Sequence, residues 1–159
     1  MVNWAHVHLM INHVPVIGVP GAIILFLYAL ARKSEDVKIV SLGVFMLIAL
    51  LTIPVFFTGM GAENVVKNLP GVTETYIGRH EEVADLAVTL MAILGVASLA
   101  GLFITGRSGA IPKWLTASVL ILAVATAAVV LLTANLGGQI RHTEIRDGFV
   151  SSPSTGTVK

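Results

Sequence analysis

Long apolar runs alternate with short polar stretches along most of the chain. Each run comes close to the roughly 20 residues that a helix needs to cross a bilayer. The four runs cover about 10–31, 39–58, 83–104 and 114–136. Charged residues, prolines and glycines separate them, as expected for connections between helices. The pattern predicts an all-α fold, an integral membrane four-helix bundle with up-down-up-down topology.

One domain accounts for nearly the whole chain. Residues 1–148 hold the four predicted helices, and the tail 149–159 is rich in Ser, Thr, Gly and Pro, which predicts disorder. Between the second and third helices, residues 62–69 mix apolar and charged side chains and are followed by Pro70-Gly71. This mixture predicts a short amphipathic helix lying over the mouth of the bundle.

Small side chains recur on the last two predicted helices and predict close helix packing in lipid. They are Gly95, Ala97, Ser98 and Gly101 on the third helix, and Ala123, Ala127 and Ala128 on the fourth.

Composition supports the membrane class and removes several others. Hydrophobic residues make up 55% of the chain and charged residues 12%. The mean hydropathy is +0.88, and these values together are far more apolar than those of a soluble domain. A net charge of +1 offers no basic surface to nucleic acid. The absence of cysteine excludes disulfides, thiolate metal sites and covalent c-type haem attachment.

Basic residues indicate which side of the membrane each loop faces. Two short connections are dense in positive charge and are expected to face the cytoplasm. Their basic residues are Arg32, Lys33, Lys38, Arg107 and Lys113. Both termini and the 59–82 connection would then lie on the periplasmic or outer side.

All five histidines fall at that same side of the predicted bundle. They are His6, His8, His13, His80 and His142. An imidazole at the mouth of a membrane span is costly to bury and is the commonest metal ligand, so these residues are candidate ligands. His8 and His13 are five residues apart and point about 140° away from each other on an unbroken helix. We expect His13, His80 and His142 to converge on the bundle interior and His8 to face elsewhere.

Several motifs resemble those of one family. Residues His8–Pro15 resemble the H-P-x-x-V-H-F-P opening of a family of small bacterial four-helix membrane proteins, formerly of unknown function and similar to b-type cytochromes. The segments 58–63, 69–72 and 79–82 are similar to its middle loop and to the start of its third helix. Leu136–His142 is similar to its closing G-G-x-x-x-H element. The chain differs from the family at Leu9, where proline is usual, and at Val14, where phenylalanine is usual.

The resemblance implies a membrane cytochrome or metal-site protein. Together with the basic residues of the short connections, it predicts a multi-pass protein of the bacterial inner membrane with both termini periplasmic. The leading hypothesis is a b-type haem protein that transfers electrons at the periplasmic side, within a respiratory or redox chain. Its ligands for one or two haem b groups would be His8, His13, His80 and His142. Ligation by two histidines leaves no open iron position, which favours electron transfer over a stand-alone enzyme.

Other residues complete this hypothesis. Arg79 and Arg141 would pair with haem propionates, and Glu63 and Glu81 would orient imidazole N–H groups. Glycines would leave room for the macrocycle, namely Gly59, Gly61, Gly137 and Gly138.

Two alternatives belong to other classes. One is a copper, zinc or iron site for transport or oxidation, with ligands from His13, His80, His142 and either Glu63 or Glu81. The other is a structural subunit of a larger membrane complex. The candidate partners are the lipid bilayer, a periplasmic redox protein or larger membrane complex, a quinone, and a second copy of the chain.

Overall fold

All the regular structure in the described residues is helical. The computed structural model describes residues 3–150 and therefore leaves most of the predicted tail, 151–159, outside. The helices are α1 (Trp4–Ile11), α2 (His13–Arg32), α3 (Glu35–Val66), α4 (Glu74–Ser108) and α5 (Lys113–Arg141), followed by a single 3₁₀ turn, Thr143–Ile145.

Four helical segments are long and apolar enough to cross a membrane. They are Trp4–Arg32, Glu35–Val66, Glu74–Ser108 and Lys113–Arg141. The first joins α1 and α2, which are interrupted only at Asn12. These segments confirm the four predicted helices and fit a multi-pass membrane protein.

The helices extend well beyond the apolar runs. α3 continues through Val66, so the separate amphipathic helix predicted at 62–69 is wrong, and the connection to α4 is confined to residues 67–73. α3 runs past the apolar segment because hydropathy marks only the part of a helix that is suited to lipid, and it ends at Val66, before Pro70. α4 begins at Glu74, where acidic side chains favour a helix N-terminus.

Local sequence explains the helix ends. The side chain of Asn3 caps α1 by accepting the His6 N–H at 3.2 Å, and Ser34 caps α3 by accepting the Val37 N–H at 3.3 Å. Pro15 explains why α1 ends at Ile11. Proline lacks an N–H, and its ring crowds the carbonyl oxygen four residues earlier, here that of Ile11.

α2, α3, α4 and α5 form a ring in which each helix packs against two of the others. The rings of Phe26 and Phe45 meet edge to face in its core, with centroids 6.1 Å apart. Gly95 lies so close to α3 that an added Cβ would stand 2.7 Å from the Cβ of Ala49, and one at Gly101 would stand 2.7 Å from Leu42. These contacts confirm close packing at two of the predicted small residues.

α1 packs mainly on α3 and contacts α2 much less. It therefore carries its histidines along the surface of α3, near the C-terminal end of that helix.

Candidate functional site

His8 of α1 is half-buried against α3, and its ring has a defined tautomer. Nδ1 lies 3.1 Å from the Val55 carbonyl oxygen and 3.3 Å from the Thr58 hydroxyl. That hydroxyl donates to carbonyls of its own helix, those of Pro54 and Val55, at 2.9 and 2.8 Å. Because a carbonyl can only accept, Nδ1 carries the proton of the neutral ring and Nε2 keeps a lone pair.

His80 of α4 repeats this arrangement against α5. Its half-buried ring places Nδ1 2.9 Å from the carbonyl oxygen of Thr133. The hydroxyl of Thr133 donates to its own helix, to the Val129 carbonyl at 2.8 Å. The Nε2 atom of His80 is therefore also the ring nitrogen that holds a lone pair.

Glycines lie against both rings. A Cβ built on Gly59 would stand 3.2 Å from Cε1 of His8, and one on Gly137 would stand 3.0 Å from Cε1 of His80. A Cβ built on Gly61 would instead stand 2.8 Å from Trp4, and one on Gly138 would stand 3.3 Å from Ile145. In this structure each of the four glycines therefore faces a side chain of the chain itself, an imidazole at Gly59 and Gly137 and an apolar side chain at Gly61 and Gly138.

His8 and His80 come from different helices, α1 and α4. They lie at the same end of the bundle, His8 against the later turns of α3 and His80 against the later turns of α5. The site therefore consists of two anchored imidazoles, held by α3 on one side and by α5 on the other.

His13 and His142 do not join this pair, so the expected convergence of His13, His80 and His142 is wrong. His13 is exposed, and its Nδ1 donates to the Leu9 carbonyl at 2.8 Å. The five-residue spacing explains this result, because a helix that turns His8 towards α3 turns His13 away from it. His142 follows the end of α5 and is exposed. His6 is exposed as well.

The segment after α5 carries a contact between an imidazole and a carboxylate. The Nδ1 atom of His142 lies 2.8 Å from a carboxylate oxygen of Glu144. The pKa of Glu144 is lowered, chiefly because its carboxylate accepts a hydrogen bond from its own backbone N–H, and secondly because it accepts one from His142.

Among residues 3–150, neither Glu63 nor Glu81 is a hydrogen-bond partner of the anchored imidazoles. The N–H groups of His8 and His80 are taken by the carbonyls of Val55 and Thr133. The orienting role predicted for the two glutamates is therefore wrong, because backbone of the neighbouring helices performs it.

The predicted propionate partners lie at the surface. Arg79 is exposed near the start of α4, and exposed Arg141 reaches the carbonyl of Pro70 at 3.5 Å. This distance leaves Arg141 weakly held.

Arg146 is not among the predicted site residues, but it anchors the segment after α5 through several contacts. Its Nε donates to the Gln139 carbonyl at 2.7 Å, and Nη2 donates to the carbonyls of Ile140 and Gly71 at 2.9 and 3.0 Å. Its guanidinium also lies 4.1 Å from the ring centroid of Tyr76. A cation just beyond the C-terminal end of a helix was the signal that could have indicated this role.

Among residues 3–150, no group of three or more His, Asp or Glu side chains is placed to hold a metal ion. The ligand set expected for a copper, zinc or iron site, His13, His80 and His142 with Glu63 or Glu81, is thus not assembled. His8 and His80 are the two candidate ligands whose rings are held by carbonyl groups of neighbouring helices.

Comparisons with protein-family models, with curated proteins and with solved structures gave no match to this chain. The interpretation of the site therefore depends on its own geometry.

Proposed function

We propose that this protein is a multi-pass membrane cytochrome that binds haem b through His8 and His80 and transfers electrons at the periplasmic side of the bacterial inner membrane. One observation carries the proposal. Each imidazole donates its Nδ1 proton to a backbone carbonyl of the neighbouring helix, at 3.1 Å for His8 and 2.9 Å for His80. This arrangement fixes each ring and leaves Nε2 for iron, as second-shell hydrogen bonds do for metal-ligating histidines.

The number of protein ligands favours haem over a bare metal ion. A structural or catalytic metal ion usually takes three or four protein ligands, whereas haem brings four nitrogens and needs one or two more. The fold supplies two neutral imidazoles with free Nε2 atoms, and no larger group of candidate ligands is assembled in residues 3–150. The donors therefore fit haem b, which would supply a one-electron carrier.

Ligation by both histidines favours electron transfer as the activity. His8 and His80 would hold the haem through two imidazoles, which would leave no open position on iron for oxygen or substrate. The chain's own contribution is to hold the rings and to place them at one end of the bundle. A periplasmic redox protein or a larger membrane complex is the partner that this proposal implies.

Contacts at the two ends of the bundle support an alternating, up-down topology. At one end, a Glu35 carboxylate oxygen accepts the Ile111 N–H at 3.3 Å, which joins the α2–α3 and α4–α5 connections. At the other end, Arg146 joins the segment after α5 to Gly71 of the α3–α4 connection. The basic residues of the two short connections lie at the end away from the histidines, which supports placing the histidines on the periplasmic side.

The decisive test is spectroscopy of the full-length protein purified from membranes. We expect a Soret band and sharp α and β bands on reduction. Alanine at His8 or His80 should remove haem or convert it to high spin, because iron loses one axial ligand. Alanine at His13 or His142 is the matched control and should leave the spectrum unchanged. A colourless wild-type protein, or a low-spin spectrum that survives loss of His8 and of His80, would overturn the proposal.

Topology is tested separately with reporter fusions. A reporter at the C-terminus should behave as periplasmic, and one inserted at 109–112 should behave as cytoplasmic. The reverse pattern would move the site to the cytoplasmic face.

A further inference from the structure

The two halves of the site contain the same three-part unit. In the first, the His8 ring binds the carbonyl of Val55 and faces Gly59. In the second, the His80 ring binds the carbonyl of Thr133 and faces Gly137. In both units the glycine follows the carbonyl by four residues, which is about one helical turn and places the two on the same face.

The contact between ring and glycine is also the same in the two units. Measured from a Cβ built on Gly59, the Cε1, Nδ1 and Nε2 atoms of His8 lie at 3.2, 3.5 and 4.0 Å. Measured from a Cβ built on Gly137, the same three atoms of the His80 ring lie at 3.0, 3.2 and 3.8 Å. Each glycine therefore faces the Cε1–Nδ1 edge of its ring, with Nε2 the third-nearest atom.

We infer that Gly59 and Gly137 are positioning residues that set the planes of two equivalent axial imidazoles, so that the site takes a ligand with two equivalent coordination faces. This inference rests on the proposed haem function for the identity of the ligand. A methyl group at either position would lie closer to Cε1 than the 3.5–4.0 Å of an ordinary carbon contact. The ring would have to turn or retreat from the carbonyl that holds Nδ1.

The role is specific to these two glycines. Gly61 faces Trp4 and Gly138 faces Ile145, so neither contacts an imidazole. Gly78 lies on α4 two residues before His80, and a Cβ there would meet no atom within 4 Å. It is the matched control, because Gly78→Ala adds the same methyl group beside the site without touching a ring.

The test compares Gly59→Ala, Gly137→Ala and Gly78→Ala in the full-length purified protein. We expect the first two to keep both histidines and bound haem but to shift the low-spin electron paramagnetic resonance signal and the midpoint potential. The shift should be larger for Gly137→Ala, whose contact is the shorter one. Spectra and potentials identical to those of Gly78→Ala for both variants would overturn the inference. If Gly137→Ala does not accumulate, Gly59→Ala carries the test.

A second readout separates this inference from the proposed function. Nitrogen-15 NMR of histidine-labelled protein reports the tautomer and hydrogen bonding of each ring whether or not haem is bound. We expect Nδ1–H signals from His8 and His80 in the wild type, displaced in the matching glycine variants. A colourless protein with these displacements would refute the haem function and uphold the positioning role. Unmoved signals would refute the positioning role.

Discussion

Replacing Arg146 with alanine should release the segment that follows α5. The lost interactions are three hydrogen bonds to carbonyl groups, at 2.7, 2.9 and 3.0 Å. A stacking contact 4.1 Å from the Tyr76 ring is lost as well. Hydrogen bonds from a charged donor contribute about 1.5–3 kcal/mol each and an exposed cation–π contact about 0.5–1 kcal/mol.

Water competes for this half-buried guanidinium, so the total free energy of these contacts must be reduced. We expect local stability to fall by about 2–4 kcal/mol, which corresponds to a rise of roughly 30-fold to several hundred-fold in local opening. Hydrogen exchange of the Ile145, Arg146 and Phe149 amides measures this local opening, because each of these N–H groups donates a backbone hydrogen bond within the segment. In the variant, the backbone N–H of residue 146 is still present to report.

Arg141→Ala is the matched control, since its guanidinium makes only the 3.5 Å approach to Pro70 among the contacts described. Its effect should stay within about 0.5 kcal/mol, as for most surface substitutions. Equal exchange in the wild type and the Arg146 variant would refute the reasoning, as would an equal effect of the two substitutions.

Three further outcomes follow from local contacts. Gly95→Ala should cost about 1–3 kcal/mol in thermal unfolding by overpacking against α3, whereas Gly43→Ala, with no atom within 4 Å of the added Cβ, should not destabilise. Ser34→Ala should remove the N-cap of α3 and cost about 1 kcal/mol in the same assay, and an unchanged melting temperature would contradict the capping role. Because folding lowers the pKa of Glu144, its contribution is present above the ordinary glutamate range and is lost as the pH falls through the lowered value. An NMR titration of the carboxyl should show this low midpoint, shifted upward in a His142→Ala variant.

The sequence predicts the helices well because a membrane span needs a long apolar run, and four such runs are present. It does not predict their ends, because polar residues such as Glu74 continue a helix outside the apolar part. The sequence predicts that Gly95 and Gly101 lie in close helix contacts, since small residues permit close approach. It does not predict the residues they contact, because these depend on the register between helices.

The histidine spacing predicts one part of the site geometry and leaves another part undetermined. Five residues separate His8 from His13, which predicts that the two rings face in different directions. Which of them faces inward depends on α1 packing against α3 and on the space beside Gly59, and neither is visible in the order of residues. The anchoring carbonyls of Val55 and Thr133 leave no sequence signal, because every residue carries a carbonyl.

α1 contributes the proposed ligand His8 but no buried residue to the bundle. Detaching it would uncover little apolar surface of its own, whereas removing any helix of the ring would open the core around Phe26 and Phe45. Half of the site can therefore be dismantled and rebuilt while the rest of the fold stays intact. If haem binds as proposed, a bulky ligand would gain access by local detachment of α1, and the closing of α1 over it would be the final step of maturation.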